Sequence, residues 1–182
     1  MRKLAFTLAV TALVVLTAPV TVHATVETPE AKEQASDAAA NARNDMVQLF
    51  GDKELKPGQY LWAEGAPTRG EAQVVISLTD QMAYLYRSGE LVAVSTISSG
   101  TERNPTPTGI FPILEKKPMH RSRKYDNAPM PFMQRLDQYG IAMHAGALPG
   151  YAASHGCIRL PAKFAAKLYQ VTQVGSTVVI GA

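Results

Sequence analysis

The sequence predicts a mostly β domain preceded by an N-terminal segment that is helical or flexible. Alternating β-branched runs begin after Glu71, Pro- and Gly-rich turns separate them, and one helical pattern comes late in the chain. Many short strands with such turns are typical of a β-sandwich or barrel with one or two short helices. The 182 residues allow one sizeable core and too little chain for two large domains.

The alternation predicts the strands in chain order. "AQVVISL" is a short strand, and "QMAYLYRSGELVAVSTIS" is a hairpin that turns at Ser88 and Gly89. "NPTPTGIFPIL" is a turn followed by a strand, and "YGIAMHA" is a further strand. "PAKFAAKLYQV" is a helix with Pro161 in its first turn, and "STVVIGA" is the last strand. The segment 116–138, "KKPMHRSRKYDNAPMPFMQRLDQ", has no clean period and is predicted to be a long functional loop.

Residues 25–69 form a segment of different texture. Residues 25–50 are rich in Ala, Glu, Gln, Asn and Asp, and the stretch from Lys32 to Phe50 is either a helix or a flexible spacer leading away from the membrane. An irregular connection follows, which carries an aromatic pair, Tyr60 and Trp62. The role of this segment stays open at the level of the sequence.

Residues 1–24 have the features of an export signal. Arg2 and Lys3 form a positive start, an uncharged apolar run follows, and Val22-His23-Ala24 has small residues where signal peptidase cleaves. The apolar run is shorter than the roughly 20 residues of a membrane span, although a retained anchor is the alternative. We expect an exported protein of the periplasm or cell wall with no membrane span after cleavage.

The charge argues against nucleic acid as a partner. The chain has 18 basic and 15 acidic residues, and removal of the signal leaves 16 basic and the same 15 acidic residues. A net charge of about +1 gives no indication of the basic surface that nucleic-acid binding requires.

Cys157 is the only cysteine in the chain. Exported domains commonly use cysteines in pairs as disulfides, so a single one is an intermolecular link, a buried residue without a chemical role, or a reactive thiol. A thiol attacks carbonyls as the thiolate and needs a base or a positive field to form it.

The segment "HAGALPGYAASHGC" offers that base. His155 lies two residues before Cys157, and His144 ends a predicted strand, from which it can reach the sulfur if the Gly-rich stretch folds back. Gly156 allows a substrate carbonyl to approach the backbone, where the Gly156 and Cys157 amides can donate to an oxyanion.

Each residue also has an interpretation without chemistry. His144 can be a satisfied histidine at a strand end, and Arg159 can be an ordinary salt-bridge partner. His144, His155 and Cys157 are also zinc-type ligands, but no fourth ligand stands at a recognisable spacing, so neither a metal nor another cofactor is expected.

The stretch "MHAGALPGYAASHGCIRLP" resembles the signature of the L,D-transpeptidase catalytic domain (YkuD-type), with all of Ser154 to Leu160 fitting its Ser-His-Gly-Cys-Ile-Arg-Leu pattern. The upstream stretches "VVISLTDQMAYLYRSGELVAVSTISSG" and "TPTGIFPIL" resemble the opening hairpin and following strand of that domain. The resemblance covers residues 70–182. One departure is that Ala145 separates His144 from Gly146, where many members have glycine directly after the histidine.

The resemblance implies a cysteine acyltransferase that acts on peptidoglycan stem peptides and needs no cofactor. Cys157 attacks the carbonyl before a terminal D-residue of a stem tetrapeptide, and an amine on a neighbouring stem or a wall-anchored protein then takes the acyl group. His144 is implied as general base and acid, and His155 as a residue that orients or supports the thiolate. Other residues are expected to bind substrate or brace the loop: Ser154, Gly146, Arg159, Tyr125, Met130 and Phe132.

For Arg159, bracing of the loop through backbone carbonyls is preferred over binding a stem carboxylate, because the residue belongs to the signature. Two alternative functions stay open. One is a cysteine peptidoglycan hydrolase (an amidase or carboxypeptidase), and the other is a wall-binding protein with little catalysis.

Overall fold

Two β-sheets and two helices make up residues 25–182, which are the residues that the computed structural model describes. The elements in chain order are α1 (Pro29–Phe50), β1 (Tyr60–Trp62), β2 (Ala72–Ser77), β3 (Met82–Arg87), β4 (Glu90–Thr96), β5 (Gly109–Pro112), β6 (Glu115–Arg121), β7 (Pro129–Arg135), β8 (Ala142–Ala145), β9 (Ile158–Leu160), α2 (Ala162–Val171) and β10 (Thr177–Gly181). The predicted mostly β fold with a helical N-terminal segment is confirmed.

The larger sheet has six strands in the order β1-β4-β3-β2-β10-β5. Its β3–β4 hairpin turns at Ser88 and Gly89, both with positive φ (50° and 82°), as the two-residue turn predicted from the sequence requires. β10 is parallel to β2 and antiparallel to β5, so it lies inside the sheet.

The smaller sheet has four strands in the order β6-β7-β8-β9, and β8 and β9 are parallel. The main core contains side chains of both sheets, including Val74, Leu85, Phe111, Met143 and Ile158, all at most 1% exposed. Phe164 and Leu168 of α2 are fully buried in the same core. This core therefore joins β8 and β9 firmly to the larger sheet.

Helix α1 packs against the other face of the larger sheet. The Thr28 hydroxyl accepts a hydrogen bond from the Ala31 amide at the helix start, and Pro29 occupies the first turn. The buried face of the helix is a stripe of small residues and one methionine: Ala31, Ala35, Ala39, Ala42 and Met46. This stripe contacts sheet residues such as Tyr84 and Val179, which is why strands of the larger sheet are buried on both faces. The helix begins three residues before Lys32, the start expected from the sequence.

Most of segment 116–138 is a β-hairpin, and the predicted long loop is wrong there. β6 and β7 pair antiparallel, and only the short turn between them, residues 122–128, is irregular. β6 is an edge strand with mostly exposed side chains, and Pro118, Pro129 and Pro131 interrupt the two strands. Because β6 buries little, its sequence shows no apolar alternation that could have identified it.

The predicted export signal, residues 1–24, lies outside the described residues. Within residues 25–182, neither helix has the length and apolar character needed to cross a membrane.

Candidate active site

The parallel strands β8 and β9 place the sequence-predicted residues on one surface. Met143, Ile158 and Leu160 point into the core, and the alternation of a strand turns His144 and Arg159 to the opposite side. Cys157, one residue before β9, shares that side. His144, Cys157 and Arg159 therefore line the same cavity, as the sequence predicted for the first two and for the shared face of 157 and 159.

The cavity has a volume of about 1010 Å³ and lies between β8, β9, the β6–β7 hairpin and the turn 137–141. Five basic side chains and one acidic side chain line it: Lys117, Arg123, Lys124, Arg135, Arg159 and Glu115. Glu115 forms ion pairs with Lys117 at 2.8 Å and Arg135 at 3.0 Å. Within the described residues the other three cations have no ion-pair partner, so the cavity is electrostatically suited to an anionic ligand.

His144 is buried and its imidazole is held in one orientation. Its Nδ1 lies 2.8 Å from the Ala145 carbonyl oxygen, so Nδ1 carries the proton and donates it, which leaves Nε2 as an acceptor. Burial lowers the pKa of His144, and the charges of Arg159 and His120 lower it further against the opposing effect of this hydrogen bond. The imidazole is therefore neutral at pH 7 and has the form that a general base requires.

The thiol of Cys157 is half-buried between two backbone groups. Its Sγ donates to the Gly140 carbonyl at 3.7 Å, and the Ala142 amide favours the thiolate form of the sulfur. Burial raises the pKa of Cys157, and the Asp137 charge raises it further, against the Ala142 amide and Arg159. Cys157 therefore has a protonated thiol that is directed at the Gly140 carbonyl.

The Ser154–Cys157 loop is held by its own hydrogen bonds. The Gly156 amide donates to Ser154 Oγ at 3.1 Å, and Ser154 Oγ donates to the Cys157 carbonyl. The expectation that the Gly156 amide is free for an oxyanion is therefore wrong, because this donor is already used. Of the hydrogen bonds made by residues 25–182, none uses the Cys157 amide, which remains available. Gly156 has φ +109°, and a Cβ there would lie 2.7 Å from Ile141, so only glycine fits.

A second loop, which sequence analysis did not single out, braces this one. The Thr106 hydroxyl accepts from the Gly100 amide at 2.9 Å and donates to the Gly156 carbonyl at 2.8 Å. The Ser99 carbonyl accepts from the amides of Ala153 and Ser154. The "SSG" and "TPT" stretches could be noticed as turn sequences, but nothing in their spacing indicates contact with a loop about 50 residues later.

His155 is exposed and stacks on Tyr125 of the hairpin turn, with ring centroids 4.3 Å apart and an angle of 20°. Its ring makes no hydrogen bond to the described residues, Cys157 included. His155 therefore contacts Tyr125 and makes no hydrogen bond with the Cys157 thiol, the partner that the sequence had assigned to it. The stacked pair lines the mouth of the cavity.

Of the two apolar hairpin residues predicted at the site, one lines the cavity. Met130 is buried with Met133, Ala142 and Cys157 in a small apolar cluster next to the thiol. Phe132 lies on the other face of β7, where its ring contacts Tyr169 of α2 at 5.9 Å and packs against the main core. Regular alternation would place Phe132 on the same face as Met130, but Phe132 has a positive φ of 56° and the β6–β7 register leaves it out. This irregularity turns Phe132 toward α2, so the structure does not place it where substrate contact was expected.

Gly146 and Arg159 pack directly against each other. A Cβ at position 146 would lie 3.0–3.2 Å from the aliphatic carbons of Arg159, so the glycine makes room for this side chain. The guanidinium makes no hydrogen bond or ion pair with residues 25–182. The bracing of the loop through backbone carbonyls, which the sequence favoured, is therefore not present. The guanidinium is free to bind a ligand in the cavity.

The comparisons with known proteins agree with this fold. The family described as YkuD, the L,D-transpeptidase catalytic domain, matches residues 71–180. The chain belongs to this L,D-transpeptidase catalytic-domain family. A comparison with curated proteins finds no match.

Solved L,D-transpeptidase structures share the fold. The Mycobacterium smegmatis enzyme has a TM-score of 0.58 at 22% identity, covering 72% of this chain and 70% of that one. The Stackebrandtia nassauensis enzyme has a TM-score of 0.57 at 23% identity, with coverages of 75% and 64%. L,D-transpeptidase 3 of Mycobacterium tuberculosis, solved with a faropenem-derived adduct, has a TM-score of 0.57 at 21% identity, with coverages of 62% and 60%. The chain spans 57% of another L,D-transpeptidase from Mycobacterium tuberculosis.

Proposed function

We propose that this protein is a cysteine-dependent peptidoglycan L,D-transpeptidase. The observation that supports this most directly is the combination of one thiol and one neutral, oriented imidazole in a cationic cavity, within a chain of the L,D-transpeptidase family. The β6–β7 hairpin forms one wall of the cavity, whose volume of about 1010 Å³ suits a peptide donor. No metal or other cofactor takes part in the proposed reaction.

In the first half-reaction, Cys157 Sγ attacks the carbonyl that precedes the terminal D-residue of a stem tetrapeptide. The thiol proton passes to His144 Nε2, and an Sγ–C bond forms. The Cys157 amide donates to the developing oxyanion. The C–N bond then breaks, His144 returns the proton to the leaving amine, and a thioester remains.

In the second half-reaction, an amine replaces the sulfur. His144 removes a proton from the acceptor amine, which attacks the thioester carbonyl and releases the Cys157 thiol. The acceptor is a side-chain amine of a neighbouring stem or of a wall-anchored protein. Stem peptides are therefore the proposed partners, and nucleic acid is not.

The remaining site residues are proposed to bind substrate or to support the loop. Arg159 binds a carboxylate of the stem through its free guanidinium. Ser154 and Gly146 support the nucleophile loop and Arg159 by the contacts described above. The apolar side of the donor packs on Met130, and the Tyr125–His155 pair forms the wall at the cavity mouth.

We place this activity outside the cytoplasm, in the periplasm or cell wall, because residues 1–24 have the pattern of an export signal and the substrate is there. We treat residues 70–182 as the catalytic domain and residues 25–69 as its N-terminal attachment, whose helix covers the larger sheet. We also propose that carbapenem-type β-lactams acylate Cys157, by analogy with the faropenem-derived adduct of the tuberculosis enzyme.

Intact-protein mass spectrometry with a stem tetrapeptide tests the proposal. We expect a mass increase equal to the acyl part of the donor and none with Cys157→Ala, which removes the only thiol. An equal increase on the Ala variant would exclude Cys157 as the nucleophile.

Adding an amine acceptor distinguishes transfer from hydrolysis. A transpeptidase converts the adduct to a new amide product, whereas an amidase or carboxypeptidase yields the free acid at the same rate with or without the amine. Binding to wall sacculi without any adduct would instead support a wall-binding protein with little catalysis.

A further inference from the structure

The turn between β7 and β8 is organised by a single buried carboxylate. Asp137 is 8% exposed, and its Oδ1 accepts hydrogen bonds from three consecutive backbone amides. These donors are Tyr139 at 2.9 Å, Gly140 at 2.8 Å and Ile141 at 2.8 Å. One side-chain oxygen therefore determines the path of the whole turn.

The same turn carries the two backbone groups that contact the nucleophile. The Gly140 carbonyl accepts from Cys157 Sγ at 3.7 Å. The Ala142 amide, one residue beyond the last bonded amide, lowers the pKa of that thiol. Gly140 is also bonded to Asp137 through its own amide, so the carboxylate and the thiol contact opposite ends of one residue. Loss of the Asp137 hydrogen bonds would therefore release the backbone segment that leads to both groups.

We propose that Asp137 is a positioning residue for the nucleophile: by holding residues 139–141, it places the Gly140 carbonyl and the Ala142 amide around Cys157 Sγ. The Gly140 carbonyl keeps the resting thiol protonated and in one rotamer, and the Ala142 amide stabilises the thiolate once the proton has gone to His144. This rests on the proposed role of Cys157 as nucleophile and adds a residue outside the recognised signature.

Asp137 acts on Cys157 in a second way, through its charge. The carboxylate raises the pKa of the thiol, whereas the Ala142 amide that it helps to place lowers this pKa. The other ionisable groups facing the sulfur or lining this part of the cavity are His144, Arg159, His155, Tyr139, His120 and Arg135. None of these changes in the variants below, so a shift can be assigned to Asp137.

Two substitutions separate geometry from charge. Asp137→Asn keeps an Oδ1 that can accept all three amide hydrogen bonds, because the structure uses only this oxygen for them. It removes the negative charge next to the thiol. Asp137→Ala removes both the charge and the acceptor, and the turn loses its support. Asp37→Asn on the exposed side of α1 is a matched control.

The experiment measures alkylation of the folded protein by iodoacetamide against pH, with melting temperature and stem-peptide acylation recorded in parallel. Since Cys157 is the only cysteine, alkylation reports this thiol alone and requires no substrate assignment. With Asp137→Asn we expect the thiol to titrate at a lower pH than in the parent, with acylation within a few-fold. With Asp137→Ala we expect acylation to fall by roughly 10- to 100-fold, because the reacting atom is no longer held in place.

Acylation within twofold of the parent in Asp137→Ala would overturn the proposal, and an unchanged thiol titration in Asp137→Asn would reject the added effect of the charge. If the Ala variant does not fold, Asp137→Ser is measured in its place, because it shortens the acceptor that holds the three amides. Another outcome is that the parent fails to react with stem peptides while the Asp137 variants still show the expected shifts in alkylation. That result would reject the proposed substrate and leave the role of Asp137 intact.

Discussion

His144 and Arg159 lie directly opposite each other on the parallel strands β8 and β9. Neighbouring strands are about 4.8 Å apart, so the base and the guanidinium occupy one side of the same cavity. The positive charge of Arg159 disfavours the imidazolium form of His144 and the thiol form of Cys157. The arrangement therefore keeps the base neutral and partly offsets the effect of burial on the nucleophile.

Replacing His144 with alanine should slow acylation by about 10²- to 10⁴-fold, the usual contribution of a general base. The melting temperature should change little, since the ring bonds only to the adjacent carbonyl. Mass spectrometry of samples quenched at successive times, with a stem peptide or a β-lactam as donor, measures the acylation rate. A sharp fall in melting temperature with unaffected acylation would make His144 a structural histidine.

Acylation should depend on pH with an acidic midpoint below 6.5, the ordinary pKa of histidine, because burial lowers the pKa of His144. The unfolded chain binds this proton near pH 6.5, and the folded chain binds it only at a lower pH. Stability should therefore fall as pH drops from about 6.5 through the lowered pKa. Rate profiles and denaturant midpoints between pH 5 and 8 measure both effects.

His144→Gln provides the control for this pH dependence, because it cannot titrate. The part of the stability loss due to His144 should be missing from its profile. An identical pH dependence of stability in parent and variant would contradict the assigned pKa shift.

Arg159→Lys should raise KM about tenfold with a melting temperature close to that of the parent. The free guanidinium is expected to bind a stem carboxylate bidentately, and lysine keeps the charge without the paired donors. Steady-state kinetics with the stem peptide and with a donor whose carboxylate is amidated provides the test. The amidated donor should be insensitive to the substitution. If Arg159→Lys lost activity equally with both donors and had a lower melting temperature, the loop-bracing role would be supported instead.

Thr106→Val should lower both stability and acylation. Valine has the shape of threonine but leaves the Gly100 amide and the Gly156 carbonyl without their partner, at a cost of about 1–3 kcal/mol. Thr108→Val is the matched control, since its hydroxyl makes no hydrogen bond among the described residues. Chemical denaturation and acylation rates are the measurements. Equal behaviour of the two variants would show that the hydroxyl bridge does not support the nucleophile loop.

Gly181→Ala should destabilise the protein by about 1–3 kcal/mol without changing the acylation rate of the folded enzyme. A Cβ on this β10 residue would lie 2.2 Å from the Ala35 carbonyl oxygen, so α1 must move away from the sheet. Thermal melting and mass spectrometry at a temperature well below the transition test this. Slower acylation under those conditions would show that α1 influences the site from the opposite face of the sheet.

The candidate catalytic residues were more predictable from the sequence than their surroundings. Cys157 and His144 stand in a contiguous stretch with rare residue types, and the strands around them alternate visibly. The β6–β7 hairpin was missed because its edge strand is exposed and interrupted by Pro118, so it has no apolar period. Asp137 and Thr106 were missed for another reason. Their partners are backbone groups, and the sequence carries no record of which amide or carbonyl a side chain will contact.

The same limit explains the assignments that changed. Phe132 was placed at the substrate together with Met130 and Tyr125, and regular alternation would keep positions 130 and 132 on one face. The positive φ of Phe132 breaks that alternation, and the sequence gives no sign of it. The Gly156 amide was assigned to the oxyanion because of its position next to the nucleophile. Only the three-dimensional structure shows that the Gly156 amide already donates a hydrogen bond to Ser154 Oγ.

The position of β10 between β2 and β5 has a consequence for biosynthesis. Among the strands of residues 25–182 this one is synthesised last, and until then the larger sheet has a gap between β2 and β5, with Val74 and Phe111 lacking their neighbour Val178. We expect this domain to stay incompletely folded until β10 has been made, because pairing of β2 with β10 is a contact of very long sequence separation. A domain in that state can be threaded through a translocation channel, so the export proposed above would not require a completed sheet to unfold.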